Sequence, residues 1–217
     1  EDGGSDYEFS SVEAACQGGH ANLAVVSING AYAARAARKA LDKGLHVMIF
    51  SDNVSLEEEI ELKSYAHEKG LLVMGPDCGT AILNGKGLCF ANAVRRGHIG
   101  IVAASGTGAQ EVSCQVHGFG GGISQLIGTG GRDLSREVGG IMMLDGLQAL
   151  AEDENTSVII LVSKLPHPAV AEKIYARVRS IEKPVVIAFI GGKQEEIEAC
   201  GAIYAETTKR AALKAVL

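Results

Sequence analysis

The 217-residue sequence has no tryptophan, five tyrosines, five phenylalanines and only four prolines. So few aromatics beside 28 glycines argue against a Greek-key sandwich and for an α/β fold with many tight turns. Positive charge is also short, with 20 Lys and Arg against 26 Asp and Glu and a net charge of -6. No basic run occurs, since Arg95 and Arg96 stand alone among apolar and glycine residues, so nucleic acid is not an expected partner. The five cysteines (Cys16, Cys78, Cys89, Cys114 and Cys200) are odd in number and lack C-x-x-C spacing. They indicate neither a disulfide framework nor a zinc ribbon and fit reduced thiols in the cytoplasm. His20, His46, His67, His98, His117 and His167 form no metal-ligand spacing. No apolar run approaches the ~20 residues of a bilayer span, so no membrane partner is expected. The acidic opening "EDGGSDYEFS" is not a signal peptide.

Short apolar runs alternate with stretches of helical period along the chain. Strands are expected at 23–28, 46–50, 71–74, 99–104, 123–127, 158–162 and 185–190, and helices at 32–43, 56–69, 107–116, 141–152 and 169–181. This is the rhythm of βαβ units around parallel sheets with helices on both faces. Ser55 with Glu58 forms a capping box, Gly70 is a helix C-cap, and Pro168 opens a helix where its missing N–H costs nothing. The glycine-rich interval 75–97 has no helical period, and a domain change is expected there, separating 1–92 from 93–217. In the first unit "NGAYAAR" follows the first strand with one glycine, so no nucleotide fingerprint is present. "SSVEAACQGG" reads as a helix end and the chain does not start with Met, so earlier elements are expected before it.

Chemistry is expected where strands of a parallel sheet end, the edge at which open α/β folds bind ligands. In "GIVAASGTGAQE" an interior strand stops at Ser105, Gly106, Thr107 and Gly108 and a helix begins. First-turn N–H groups lack intrahelical partners and carry partial positive charge, so this turn is a candidate phosphate cradle. "GPDCGTAIL" places Pro76, Asp77 and Cys78 at a second such end, either as a substrate site or as a structural turn with an inert thiol. "GTGGRDLSREVGG" adds Gly130, Gly131, Arg132 and Asp133, with Arg136 and Glu137 following. Arg132 has two readings: a planar fork clamping an anion as a catalytic cation, or one partner in a surface ion-pair network. Lys164, at another strand end, is either the second candidate catalytic cation or a merely solvent-facing side chain. No metal ligand is expected.

Several segments in fixed order carry a family resemblance. "GPDCGTAIL", "GHIGIVAASGTGAQEV", "IGTGGRDL", "VIILVSKL" and "KPVVIAFIGG" are similar to the α-subunit family of NDP-forming acyl-CoA synthetases, typified by succinyl-CoA synthetase. Within that superfamily "FSDNVSLEEEIELK", "KGLLVMGPDCGT" and "GGRDLSREVGGI" resemble the FdrA family. The resemblance covers nearly the whole chain from about residue 20. It implies a Rossmann-like CoA-binding-type domain over 1–92, incomplete at its N-terminus, and a flavodoxin-like ligase domain over 93–217. It also implies that the helix opened by Ser105, Gly106 and Thr107 holds a transferred phosphate, and that Pro76, Asp77 and Cys78 lie beside the acyl and pantetheine site.

The sequence departs from that pattern in three places. The synthetases carry phosphate on a histidine in a Gly-His-Ala-Gly-Ala segment after the last ligase-domain strand, whereas the residues after "FIGG" contain no histidine. Lys164 stands at the position of the glutamate that orients that histidine, and the Gly-rich CoA loop has no counterpart. Phosphohistidine transfer is therefore not expected, and CoA is the one cofactor left open. The resemblance to FdrA leads first to an enzyme subunit moving a carbamoyl group between carbamoyl phosphate and oxamate. The alternative is an acyl-CoA synthetase subunit whose catalytic residues come in part from another segment or chain, and a third reading is a non-catalytic regulatory or assembly subunit. The expected partners are an acyl or carbamoyl phosphate and either other subunits or further copies of the chain.

Overall fold

The computed structural model describes residues 9–19 and 21–217; the acidic opening at 1–8 and His20 lie outside the described residues. The chain starts with α1 (Val12–Gly18), β1 (Leu23–Val26), α2 (Gly30–Asp42), β2 (His46–Ile49), α3 (Leu56–Glu68) and β3 (Val73–Met74). Its three strands pair in parallel in the order β1-β2-β3. The remainder forms β4 (Thr80–Leu83), β5 (Lys86–Cys89), β6 (Arg96–Ala103), α4 (Gly106–Gly118), β7 (Ile123–Gly128), α5 (Ile141–Glu152), β8 (Val158–Lys164), α6 (Pro168–Val178), β9 (Val185–Ile190), α7 (Gln194–Glu198), β10 (Ile203–Tyr204) and α8 (Thr208–Val216). These strands make a sheet ordered β10-β9-β8-β6-β7-β4-β5, parallel except where β4 pairs with β5 and β7.

The period-2 geometry of the strands sorts the core. On β6, β8 and β9, Val102, Ile159, Leu161, Val185, Ile187 and Phe189 face α5, α6 and α7. Their neighbours Ile101, Ala103, Ile160, Val162, Val186 and Ala188 face α4 and α8. Because both faces are covered, these strands read as continuous apolar runs, which is why their positions were legible. A third cluster packs α2 and α3 against Val26, Val47, Ile49 and Val73 of the small sheet.

The interval expected to close the first unit at residue 92 folds as the β4–β5 hairpin, and its hydrogen bonds join it to the second sheet. The chain thus leaves the small sheet after Met74. Asn84 (φ 50°) and Gly85 (φ 77°) make a tight two-residue turn with both residues left-handed, the backbone that matches strand twist. Upstream, the Ser55–Glu58 capping box is formed at both ends, with Glu58 N–H donating to Ser55 Oγ at 3.2 Å and Ser55 N–H to Glu58 Oε2 at 3.1 Å.

One cross-strand contact makes stability pH-dependent. His46 is half-buried and its Nδ1 accepts from the Leu72 N–H at 3.0 Å. Burial holds its pKa below the ordinary 6.5. The unfolded chain therefore takes up its proton at higher pH than the folded imidazole does, so this residue removes stability as pH falls through the ordinary histidine range. Thermal midpoints measured between pH 7.5 and 5.5 should fall more steeply for wild type than for His46→Asn; parallel curves would contradict the assignment.

Candidate functional site

β6 ends at Ala103 and α4 starts at Gly106, with Ser105 as N-cap in extended backbone (φ -147°, ψ 116°). Ser105 Oγ accepts from the Gly108 N–H at 3.1 Å, so that donor is already used. The Gly106 and Thr107 N–H groups have no acceptor among the described residues. The expected cradle of Ser105, Gly106, Thr107 and Gly108 thus presents two free donors, because the serine that caps the helix consumes the third.

These donors open on a groove of about 780 Å³ where the C-terminal ends of β1 and β2 meet the start of α4. Ser27, Ile28 and Asn29 follow β1, Phe50, Ser51 and Asp52 follow β2, and Phe90 with Gln110 forms the outer wall. Ser51 ties the two strand ends together, its Oγ donating to Ile28 O at 2.6 Å and accepting from Ile28 N–H at 2.9 Å. Phe90 is 65% exposed, braced edge-on by Phe50 with ring centres 5.3 Å apart and by Gln110 Nε2 donating to its carbonyl at 2.8 Å. Sequence reasoning missed these groove residues. Their position just past β1 and β2 was the available signal, since that edge binds ligands in open α/β sheets.

A smaller cavity of about 100 Å³ lies behind the cradle, lined by Asp77, Cys78, Ser105, Gly106, Gly130 and Gly131 among others. A Cβ built on Gly106 or Gly131 would meet nothing within 4 Å, and neither needs a left-handed backbone, so packing does not require glycine there. Gly130 is different: its φ is +84° and a Cβ would lie 2.6 Å from Pro76 O. The expected substrate positions Asp77, Cys78, Gly130 and Gly131 thus share one cavity with the cradle, and Pro76 lies against Gly130 outside the lining.

The remaining candidates lie elsewhere. Asp133, expected to touch substrate, is fully buried and accepts from Lys63 Nζ at 2.9 Å and from the Met142 and Met143 N–H groups at 3.2 and 2.8 Å. Its carboxylate caps α5 and cannot reach a ligand. Arg132 is not free beside the cradle either. Its Nε pairs with Glu59 at 2.8 Å and its Nη2 donates to Val54 O at 2.8 Å, so it ties the 129–133 loop to the first unit. Lys164 is exposed at the end of β8, lines neither cavity, and has no partner among the described residues. Arg136 and Glu137 are exposed and make no ion pair among the described residues.

The charge of the groove is therefore one-sided. Asp52 and Asp77 line it and no Lys or Arg does. A helix N-terminus supplies only about half a positive charge, so a multiply charged anion needs further cations from outside this lining. Cys78 is no nucleophile: its thiol is buried against Thr80 O and Gly128 O, both at 3.6 Å, and burial pushes its pKa up to about 11. Iodoacetamide at pH 8 should label the exposed Cys89 and Cys114 and spare Cys78; rapid labelling of Cys78 mapped by peptide mass would contradict this. No group of three His, Cys, Asp or Glu among the described residues could hold a metal, and no described helix is long and apolar enough to cross a membrane.

The CoA binding domain family matches residues 94–191, the stretch that contains β6, α4 and the cradle. The uncharacterized protein YahF of Escherichia coli K12 is 61% identical over 196 residues, covering 90% of this chain and 38% of that protein. The malate–CoA ligase subunit alpha of Methylorubrum extorquens is 28% identical over 219 residues, covering 95% of this chain and 72% of its own length. The structure of ATP citrate lyase from Methanothrix soehngenii, in complex with citrate and coenzyme A, superposes with a TM-score of 0.81 at 16% identity, over 96% of this chain and 40% of that one. At that identity the superposition shows the shared α/β fold alone. The chain thus spans well under half of two of these three relatives. The CoA binding domain match and the α-subunit homologues together support the acyl-CoA synthetase superfamily typified by the succinyl-CoA synthetase α subunit.

Proposed function

We propose that the chain is the α-like part of an acyl-CoA ligase of the FdrA branch, which receives a phosphate or acyl phosphate at the Gly106 and Thr107 N–H groups. The observation that carries this reading is that two unpaired first-turn donors open on a groove where both sheets end. Ile28, Phe50 and Phe90 give the groove an apolar side suited to a pantetheine arm or the carbon chain of an acyl group. The CoA diphosphate finds no Lys or Arg in that lining, so its charge is met by another segment or subunit. This agrees with a relative described as subunit alpha of a ligase. Residues 193–217 contain no histidine, so that stretch supplies no phosphohistidine.

The resemblance to the malate–CoA ligase subunit alpha favours this reading over carbamoyl transfer to oxamate. A non-catalytic subunit is the outcome if no turnover is found. The deciding experiment gives the full-length protein, with the subunits that co-purify with it, CoA, nucleoside triphosphate and a dicarboxylic acid, and in a parallel arm carbamoyl phosphate and oxamate. Formation of a CoA thioester is expected; carbamoylation in its place would overturn the reading.

A further inference from the structure

Four side chains at the junction of the two sheets, three of them buried and Arg132 half-exposed, form an ionic cluster that the proposed chemistry does not use. Lys63 on α3 is fully buried, and each of its ammonium hydrogens has an acceptor: Glu59 Oε1 at 2.7 Å, Thr129 O at 2.8 Å and Asp133 Oδ1 at 2.9 Å. Glu59 is 1% exposed, and its other oxygen meets Arg132 Nε at 2.8 Å. Two cations and two carboxylates balance. Burying three of the four, Glu59, Lys63 and Asp133, is weak evidence of stability, because desolvation offsets most of the attraction. Its geometry is more informative than its energy.

Two of the four side chains, Arg132 and Asp133, belong to one short loop, and the other two, Glu59 and Lys63, reach it from α3. Thr129 and Asp133 bracket Gly130 and Gly131, the two glycines that wall the small cavity opposite Ser105 and Gly106. Gly130 sits in left-handed backbone, and a Cβ on it would lie 2.6 Å from Pro76 O, so the loop packs closely there. Lys63 reaches it from the first unit, 66 and 70 residues earlier in the chain. We propose that Lys63 is a positioning residue: by holding Thr129 O and Asp133 it fixes the Gly130–Gly131 wall at the distance from the α4 N-terminus that an anion requires. The inference rests on the cradle reading above only for what the wall faces, not for the restraint itself.

The test compares wild type, Lys63→Met and Leu62→Ala, the last opening a cavity on the buried side of α3 while removing none of the cluster's ion pairs or hydrogen bonds. Two quantities are read: amide hydrogen exchange over 128–133, and the dissociation constant for inorganic phosphate. Lys63→Met should speed exchange in that loop beyond the rest of the chain and weaken phosphate by about tenfold, comparable to one charge-assisted hydrogen bond. Leu62→Ala should lower the thermal midpoint yet leave phosphate affinity within about twofold. Equal effects of the two variants on phosphate, or unchanged exchange at 128–133 in Lys63→Met, would overturn the proposal. Should Lys63→Met not fold, Glu59→Gln, which keeps Lys63 on Thr129 and Asp133 but loosens its third anchor, should show the same exchange pattern at smaller amplitude, and no local change would overturn it. Absence of phosphate binding in wild type would defeat the cradle reading, and the exchange arm would then decide the restraint on its own.

Discussion

Asp133→Ala is expected to destabilise the protein by about 3–5 kcal/mol, the cost of removing one carboxylate from a buried ion pair. The carboxylate is inaccessible and does two things at once, pairing with Lys63 and accepting from the Met142 and Met143 N–H groups. Removing it takes one of the three acceptors from the Lys63 ammonium, leaves the cluster with two cations against the single carboxylate of Glu59, and leaves α5 uncapped, because Gly140 at its N-terminus offers no side chain. For a chain of this size that loss lowers the thermal midpoint by roughly 10 °C. Asp133→Asn keeps the shape and part of the cap but not the charge, and should lie between alanine and wild type. Denaturant unfolding of both variants checks this. A change under about 1 kcal/mol for alanine, the range of a surface ion pair, would mean that the carboxylate is not buried as described.

Gly106→Pro should leave the fold intact and weaken phosphate binding by about ten- to a hundredfold. Gly106 is the first residue of α4, where proline's fixed φ suits a helix and its missing N–H breaks no helical bond. Ser105 before it is already extended, as a residue preceding proline must be, and the space around Gly106 is open. Stability should therefore hold or rise by about 0.4–1 kcal/mol. What disappears is one of two free donors, and a charge-assisted hydrogen bond contributes about 1.5–3 kcal/mol. Ser105→Ala is the complementary case. It removes the cap and should cost about 1 kcal/mol, while freeing the Gly108 N–H. Calorimetric titration with inorganic phosphate reads both, and wild-type affinity in Gly106→Pro would show that the anion binds elsewhere.

The central strands were legible because burial on both faces leaves continuous apolar runs in β6, β8 and β9. The capping box and the proline at the start of α6 were legible because each is a local rule with a local partner. The β4–β5 hairpin was missed although Asn84 and Gly85 are a strong turn pair, since its strands are short and β5 is largely exposed. The turn at Ser105 could be placed from sequence, but not the use of Gly108's N–H by the serine itself. Arg132 and Asp133 show the limit most clearly. A charged pair among glycines near a strand end reads as a site, and only the approach of Glu59 and Lys63 from far earlier in the chain reveals an inter-sheet junction. A buried lysine four residues after a glutamate on a helix looks like a surface pair in sequence. Its burial follows from tertiary packing alone.

The most direct measurement is the backbone amide spectrum of the isotopically labelled protein during titration with inorganic phosphate. The account predicts saturable shifts at Gly106 and Thr107, smaller ones at Gly130 and Gly131, and little change at Gly108, whose N–H is held by Ser105. Shifts confined to exposed lysines and arginines, with Gly106 and Thr107 unmoved at saturating phosphate, would contradict it.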